Sequence, residues 1–377
     1  MHRCRPGWGG KRLPELGMPI SEVRRAVGPG RVNLIGDHTD YNHGLALPMA
    51  VGLGVTVTFT PTEVETLVVT SSAFAEAATV PVGGVGGVGG VGRVGGVGGV
   101  GPDLTTGEPA WARLVAAMAA LAPAPTGGAL TVESAVPVES GLSSSAALSV
   151  ALAEVFGVGG TAEEVARLCR QAEHAIGVPV GLMDPLVCAG GRAGHALLID
   201  FDTLSVRPVP IPADVEVLVV DSGQHRSLTT SAYATRVAEC RAAAELVGPL
   251  GLLGQGNLAQ LSDPVLRRRA RHVVTECARV RDTVAALAAD DLATAGAHLS
   301  ASHRSLAEDF DVSTPVLDAL VARLESLTGV YGARMTGAGF GGCVVALARP
   351  GAVDTDAWPT PAWTVQAVDG TVAARRA

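Results

Sequence analysis

The chain reads as an α+β protein of two domains, on three observations. It has 377 residues, enough for two domains of ordinary size. Hydrophobic residues make up 47% and aromatics only 3%, so aliphatic side chains must build a large core. Segments of strand period and of helix period follow one another without the regular βαβ alternation of a parallel sheet.

In chain order, residues 27–60 show short strands about a polar turn: VNLI leads into GDHTDYNHG, and LALPMAVGLGVTVTF follows with β-branched alternation. Residues 82–101 hold twelve glycines in twenty, at a three-residue period without proline. That pattern is not collagen. It predicts a mobile surface loop, because ordering so much glycine costs backbone entropy. A helix is expected over 109–121, and a strand near 129–136 with Leu130, Val132, Ser134 and Val136 on one face. The next helix starts close to residues 143–145; Leu148, Leu152 and Val155 recur at helical spacing and Gly157 is a fitting stop. Further helices are expected at 161–176, 230–247, 264–288, 291–308 and 313–327, and strands at 195–200, 215–221, 330–335 and 342–348. The boundary is expected near 200–210, dividing an N-terminal domain, 18–205, from a C-terminal one, 206–377.

Composition also excludes functions. The net charge is −8, with no basic stripe and no interleaved aromatics, which argues against a nucleic-acid partner. No run of 18 apolar residues occurs, so no membrane span is expected. Residues 1–17 are basic but lack an apolar signal core; a disordered tail, or an extension ahead of a start at Met18, is expected. Six scattered cysteines without a C-x-x-C pair fit a cytoplasmic location and no zinc site. Of 28 lysines and arginines the only lysine is Lys11, in the tail. A Walker A loop, a protein-kinase fold and a pyridoxal Schiff base each need a lysine. Phosphate chemistry here must use arginine, metal and backbone N–H groups.

Four segments carry chemistry. In VPVESGLSSSAALSVALAEVF, serines 143–145 follow Gly141 at a strand-to-helix turn. One serine there would be a helix cap. Three exceed one cap, and present hydroxyls and free N–H groups to an anion, with the helix dipole adding positive potential. In GPGRVNLIGDHTDYNHG, Arg31, Asp37, His38 and Asp40 cluster among turn glycines. A solvated loop is one reading; the other is that the acids and histidine meet sugar hydroxyls and Arg31 neutralises a transferring phosphoryl group. In GVPVGLMDPLVCAGGRAGHALLID, Asp184 between apolar residues is either a helix N-cap or a base. Glu173, eleven residues earlier, is a candidate magnesium ligand. In GARMTGAGFGGCVVAL, Gly337, Gly339, Gly341 and Gly342 form either a bulged hairpin or a backbone that approaches a ligand or another loop closely.

Together and in this order the segments resemble the galactokinase family of the GHMP small-molecule kinase superfamily. GRVNLIGDHTDYN is similar to the galactokinase signature, VPVESGLSSSAA to the superfamily's phosphate-binding motif and GARMTGAGFGG to its third motif; the likeness runs from about Gly28 to Leu347. The resemblance implies a ribosomal-S5-domain-2-like N-terminal domain, a ferredoxin-like C-terminal domain and a site in the cleft. It implies ATP-dependent phosphorylation of galactose at C1, with Asp184 facing the C1 hydroxyl and Arg31 stabilising the phosphoryl group. Gly141, Leu142, Ser143, Ser144 and Ser145 would wrap the ATP phosphates. Ser145 and Glu173 would hold Mg2+. Asp37, His38, Asp40, Gly181 and Tyr233 would contact the sugar. A monomer or weak homo-oligomer is expected.

The chain departs from the family pattern at several places: Asp37 stands where Glu is usual, Pro185 where Gln is, and Glu139 where Gly is. The segment between Glu173 and Asp184 is one residue short, and the glycine-valine tract replaces family sequence. Glu139 is expected to point out of the cleft, because an acid repels a triphosphate. The Asp37 departure leaves open a kinase for another sugar, of arabinose or N-acetylhexosamine type. A catalytically idle galactose/ATP sensor is a further reading, opposed by the intact serine run, Arg31 and Asp184.

Overall fold

The structure, a computed structural model, describes residues 22–82, 110–123, 127–136, 141–178, 180–224 and 229–375. The tail, the glycine-valine tract after Val82 and Glu139 lie outside the described residues.

The first six strands are β1 (Arg24–Asn33), β2 (Leu45–Ala46), β3 (Pro48–Pro61), β4 (Thr66–Ser71), β5 (Phe74–Pro81) and β6 (Gly128–Ser134). Among the described residues, five of them form one sheet in the order β1-β3-β6-β4-β5, antiparallel except for the β4–β6 pair. Helices α1 (Ala110–Leu121), α2 (Ser144–Val155), α3 (Ala162–Ala175) and α4 (Met183–Gly190) follow the same half of the chain. β2 joins β7 (His195–Asp200) and β8 (Ser205–Pro210) in a separate antiparallel sheet.

The second half runs β9 (Glu216–Asp221), α5 (Thr229–Val247), α6 (Pro264–Ala288), α7 (Leu292–Glu308), α8 (Pro315–Glu325), β10 (Val330–Met335), β11 (Cys343–Ala348), β12 (Ala362–Val365) and α9 (Thr371–Ala374). Its sheet is antiparallel with spatial order β10-β11-β9-β12. Counted by appearance the order is 2-3-1-4, the ferredoxin-like arrangement the resemblance implies, with the helix of the second crossover replaced by a loop. Local chemistry sets the helix starts: Asp263 caps α6 ahead of Pro264, Thr314 caps α8 ahead of Pro315, and Thr161 with Glu164 closes a capping box on α3.

The long helices and the strands expected at 195–200, 215–221, 330–335 and 342–348 appear within a few residues of their expected bounds. The stretch at 200–210, where the domain boundary is expected, carries regular structure. That stretch is the β7–β8 hairpin, paired from His195↔Pro210 to Asp200↔Ser205. Its two prolines disguise a strand; they are tolerated because β8 is an edge. The chain end also returns to the first half: Val368 N–H donates to Ala50 O at 3.0 Å and Gly370 N–H to Gly191 O at 2.9 Å. One hydrophobic core runs through both halves, from Val32 and Val57 to Val217, Leu299 and Val345.

Two glycines bring the site together. A Cβ on Gly28 would lie 1.9 Å from Ala147 O, and one on Gly30 would lie 2.6 Å from Leu53 O and 2.9 Å from Leu142 O. Only glycine lets β1 run this close to α2 and the turn before it. The strand bulges between Pro29 and Gly30, and Arg31 follows at once.

Candidate active site

Arg31 is the centre of the site. It is buried at the end of β1, and its backbone N–H donates to Leu142 O at 3.1 Å. Its guanidinium makes two parallel bonds to Asp184, Nε to Oδ1 and Nη2 to Oδ2, each 2.9 Å, and its Nη1 donates to Gly141 O at 2.6 Å. Burial would lower the guanidinium's pKa, but Asp184 and Asp37 more than offset it and the net shift is upward. The cation is therefore permanent, and its planar fork is held in one orientation.

Asp184 lies in the first turn of α4, where the N-cap position belongs to Leu182. It is not the helix cap that a lone acid suggests. Pro185 fits because the N–H groups of a helix's first turn need no partner within the helix. The Asp184 side chain is 32% exposed against 7% for Arg31, so the pair has one face open. Ser143 Oγ also donates to Asp184 Oδ2.

The serine turn differs from simple capping. Gly141 and Ser143 have φ of +77° and +63°, and Ser143 stands at the N-cap of α2 without capping it, since its hydroxyl is given to Asp184. A non-glycine residue in this region costs about 1–2 kcal/mol. The strain leaves the first N–H groups of α2 with no side-chain cap, which suits an incoming anion. Gly157 ends α2 as expected, with φ +75° and its N–H on Glu154 O.

Ser145 Oγ donates to Glu173 Oε2 at 3.2 Å. Glu173 is buried on α3, and burial, with Asp184 adding, raises its carboxyl to about 7. A buried acid beside a hydroxyl and near a second acid fits a divalent cation, which takes one or two carboxylates plus phosphate oxygens. Among the described residues no three His, Cys, Asp or Glu side chains form a metal cluster. An ion here would take Glu173 and Ser145 as ligands, with phosphate oxygens able to supply others.

The signature loop lies between β1 and β2. His38, φ +63°, is buried with Nδ1 2.9 Å from Tyr41 Oη, and its ring packs on Phe310 at 4.4 Å and near Tyr233 at 5.9 Å. Burial, with His272 and Arg334 adding, holds the imidazole well below its usual 6.5, so it is neutral. Its Nε2 is buried without a partner among the described residues. Asp40 follows in a short 3-10 turn, its carboxyl raised to about 6 by burial first and then by Asp184. Gly181 packs against it: a Cβ there would lie 2.3 Å from Asp40 Oδ2. Asp37 faces the β10–β11 turn, accepting from Arg334 and, at Oδ1, from Gly337 N–H at 3.2 Å.

The glycines of that turn therefore serve close approach between loops. A Cβ on Gly339 would lie 2.6 Å from Val312 O, and one on Gly341 2.5 Å from Gln224 O. Behind the signature loop stand residues of α6 to which the motifs assign no role. His272 Nε2 meets Asp37 O at 3.2 Å; Glu276 Oε1 accepts from Gly36 N–H at 3.0 Å and from Ser302 Oγ at 2.6 Å. A buried histidine and acid four apart on one helix face were the available signal.

A permanent cation on a carboxylate with an open face, an uncapped helix start and a polar loop that leaves His38 Nε2 without a partner among the described residues form a site suited to moving a phosphoryl group onto a hydroxyl. The family models for the GHMP kinases N terminal domain and the GHMP kinases C terminal match residues 110–192 and 283–357. Fold and site thus define a small-molecule kinase of the GHMP superfamily. The model described as the galactokinase galactose-binding signature matches residues 20–61. The galactokinase of Mycobacterium tuberculosis H37Rv is 41% identical over 337 residues, 85% of this chain and 87% of the relative. That of Homo sapiens is 37% identical over 364, 89% and 90% of the two chains. The chain belongs to the galactokinase family. The crystal structure of Lactococcus lactis galactokinase complexed with galactose superposes with a TM-score of 0.81 at 28% identity, covering 93% of this chain and 95% of that one.

Proposed function

We propose that the protein transfers the γ-phosphoryl group of ATP to the C1 hydroxyl of D-galactose. The observation that carries this reading is the Arg31–Asp184 pair, set between the serine turn on one side and the signature loop on the other. The sugar lies against His38, Asp40, Gly181 and Tyr233, with its C1 hydroxyl donating to Asp184. The first N–H groups of α2, left without a side-chain cap, receive the ATP phosphates. As the C1 oxygen bonds to phosphorus, the bond from the γ-phosphorus to the β–γ bridging oxygen breaks and ADP leaves. The hydroxyl proton passes to Asp184. Three donors hold that carboxylate in place for the transfer. Arg31 neutralises charge on the phosphoryl oxygens throughout. Mg2+, held by Glu173 and Ser145, would supply further charge neutralisation on the phosphates. Catalysis is positioning and electrostatics, as phosphoryl transfer requires. Convergence of Arg31, Asp184 and Ser143 supports a working kinase over an idle sensor.

The test is a coupled ADP assay, with and without Mg2+, across galactose, glucose, arabinose, galactosamine and N-acetylgalactosamine. Galactose is expected to give the highest kcat/KM. A higher value for arabinose or N-acetylgalactosamine would move the assignment to another sugar, and release with none would restore the sensor.

Asp40 gives a pH dependence with a fixed sign. Its raised pKa, about 6, means that the acid form dominates below that pH and an acceptor for sugar hydroxyls is lost. Galactose affinity, measured by calorimetry without nucleotide, is expected to be level above about pH 7 and to fall by up to roughly tenfold by pH 5. Asp40→Asn should bind weakly at every pH with no such slope. Constant wild-type affinity from pH 5 to 8 would contradict the role given to Asp40.

A further inference from the structure

We infer that Arg334 is a positioning residue for the sugar, acting through Asp37, so that the third glycine-rich turn serves the sugar subsite. This rests on the reading of the site as a galactose kinase. Arg334 lies on β10 and is 0% exposed, the largest fully buried side chain among the described residues. A buried guanidinium is costly unless its donors are matched. Two of its three nitrogens cross to the other half of the chain, Nη1 to Leu34 O at 3.1 Å and Asn33 O at 3.4 Å and Nη2 to Asp37 Oδ2, while Nε has no partner among the described residues. The following residues extend the grip. Thr336 Oγ1 donates to Asn33 O at 3.0 Å, and Gly337 N–H to Asp37 Oδ1 at 3.2 Å.

The hairpin thus holds segment 33–37 at both ends and occupies both oxygens of Asp37. Directly beyond lie His38, with its unpartnered Nε2, and Asp40, packed on Gly181. The short aspartate has little reach of its own, so the hairpin must come to it, and where Arg334 holds Asp37 fixes where residues 38–40 begin. α6 adds a second hold on the same backbone, through His272 to Asp37 O and Glu276 to Gly36 N–H. The serine turn is tied to different groups, Arg31 and Asp184. Loss of Arg334 should therefore be felt by the sugar and hardly by the nucleotide.

The experiment uses the full chain. For Arg334→Met, the galactose KM and the calorimetric galactose Kd are expected to rise roughly tenfold or more, with the ATP KM within about threefold. Arg334→Lys keeps the charge but not the fork, and should restore part of the loss. In the Asp37→Asn background, Arg334→Met should add much less than it does alone, because the two act as one unit. A galactose KM within about twofold of wild type, or equal rises for both substrates, would overturn the inference. If Arg334→Met does not fold, Arg334→Lys is read by the same criteria. A wild-type protein that binds no galactose would instead sink the underlying function.

Discussion

Asp184→Ala is expected to lower kcat for galactose-dependent ADP release by roughly a thousandfold or more, the effect of removing a positioned proton acceptor. The side chain has three partners, two donors on Arg31 and the Ser143 hydroxyl, and one open face. Its removal takes away the acceptor for the C1 proton and frees Arg31 from its orientation. It also leaves a buried cation with only Gly141 O as a partner, and so costs stability. Melting must be followed beside turnover, at a temperature where the variant is folded. Turnover near wild type in folded Asp184→Ala would remove the aspartate from the mechanism.

Arg31→Lys should lower kcat by roughly a hundredfold or more, the scale on which one preorganised charge stabiliser acts. The arginine engages Asp184 at two points while a third nitrogen reaches Gly141 O. A lysine ammonium is a point charge on a flexible stem and cannot hold both partners in that geometry. If Arg31 serves the phosphoryl group as proposed, and not the sugar's other hydroxyls, the galactose KM should move by less than about fivefold, a split that separates transition-state from ground-state contacts. Unchanged kcat would exclude the phosphoryl role; an increase in galactose KM with kcat constant would move Arg31 to the sugar.

Much of this site was legible in the sequence because its residues stand in local motifs. Arg31, His38, Asp40, Ser145 and Glu173 could be singled out from residue type, turn glycines and helix phase. What they are bonded to could not, since the partners come from distant segments. The GPG before Arg31 was visible, but that Gly28 and Gly30 are there to admit α2 appears only once the helix lies on the strand. Ser143 reads locally as a cap, and it is the presence of Asp184 across the site that claims its hydroxyl. Arg334 sits in a strand-like run where an arginine suggests an exposed edge; its acceptors are on the other half of the chain. Four strands were not expected, β4, β5, β8 and β12, and for two of them the reason is physical. β5 has a largely exposed pattern and β8 carries two prolines, so each is held by pairing to a neighbour and not by its own periodicity.

The central claim, transfer of a phosphoryl group to the C1 oxygen of galactose, is tested most directly by the identity of the product. Wild-type protein with galactose and Mg2+–ATP, followed by phosphorus NMR with proton correlation, should give one ADP per sugar phosphate, with the new phosphorus signal coupled to the anomeric proton. ADP formed without a sugar phosphate, or a phosphorus signal correlated to any other ring or side-chain proton, would contradict the account.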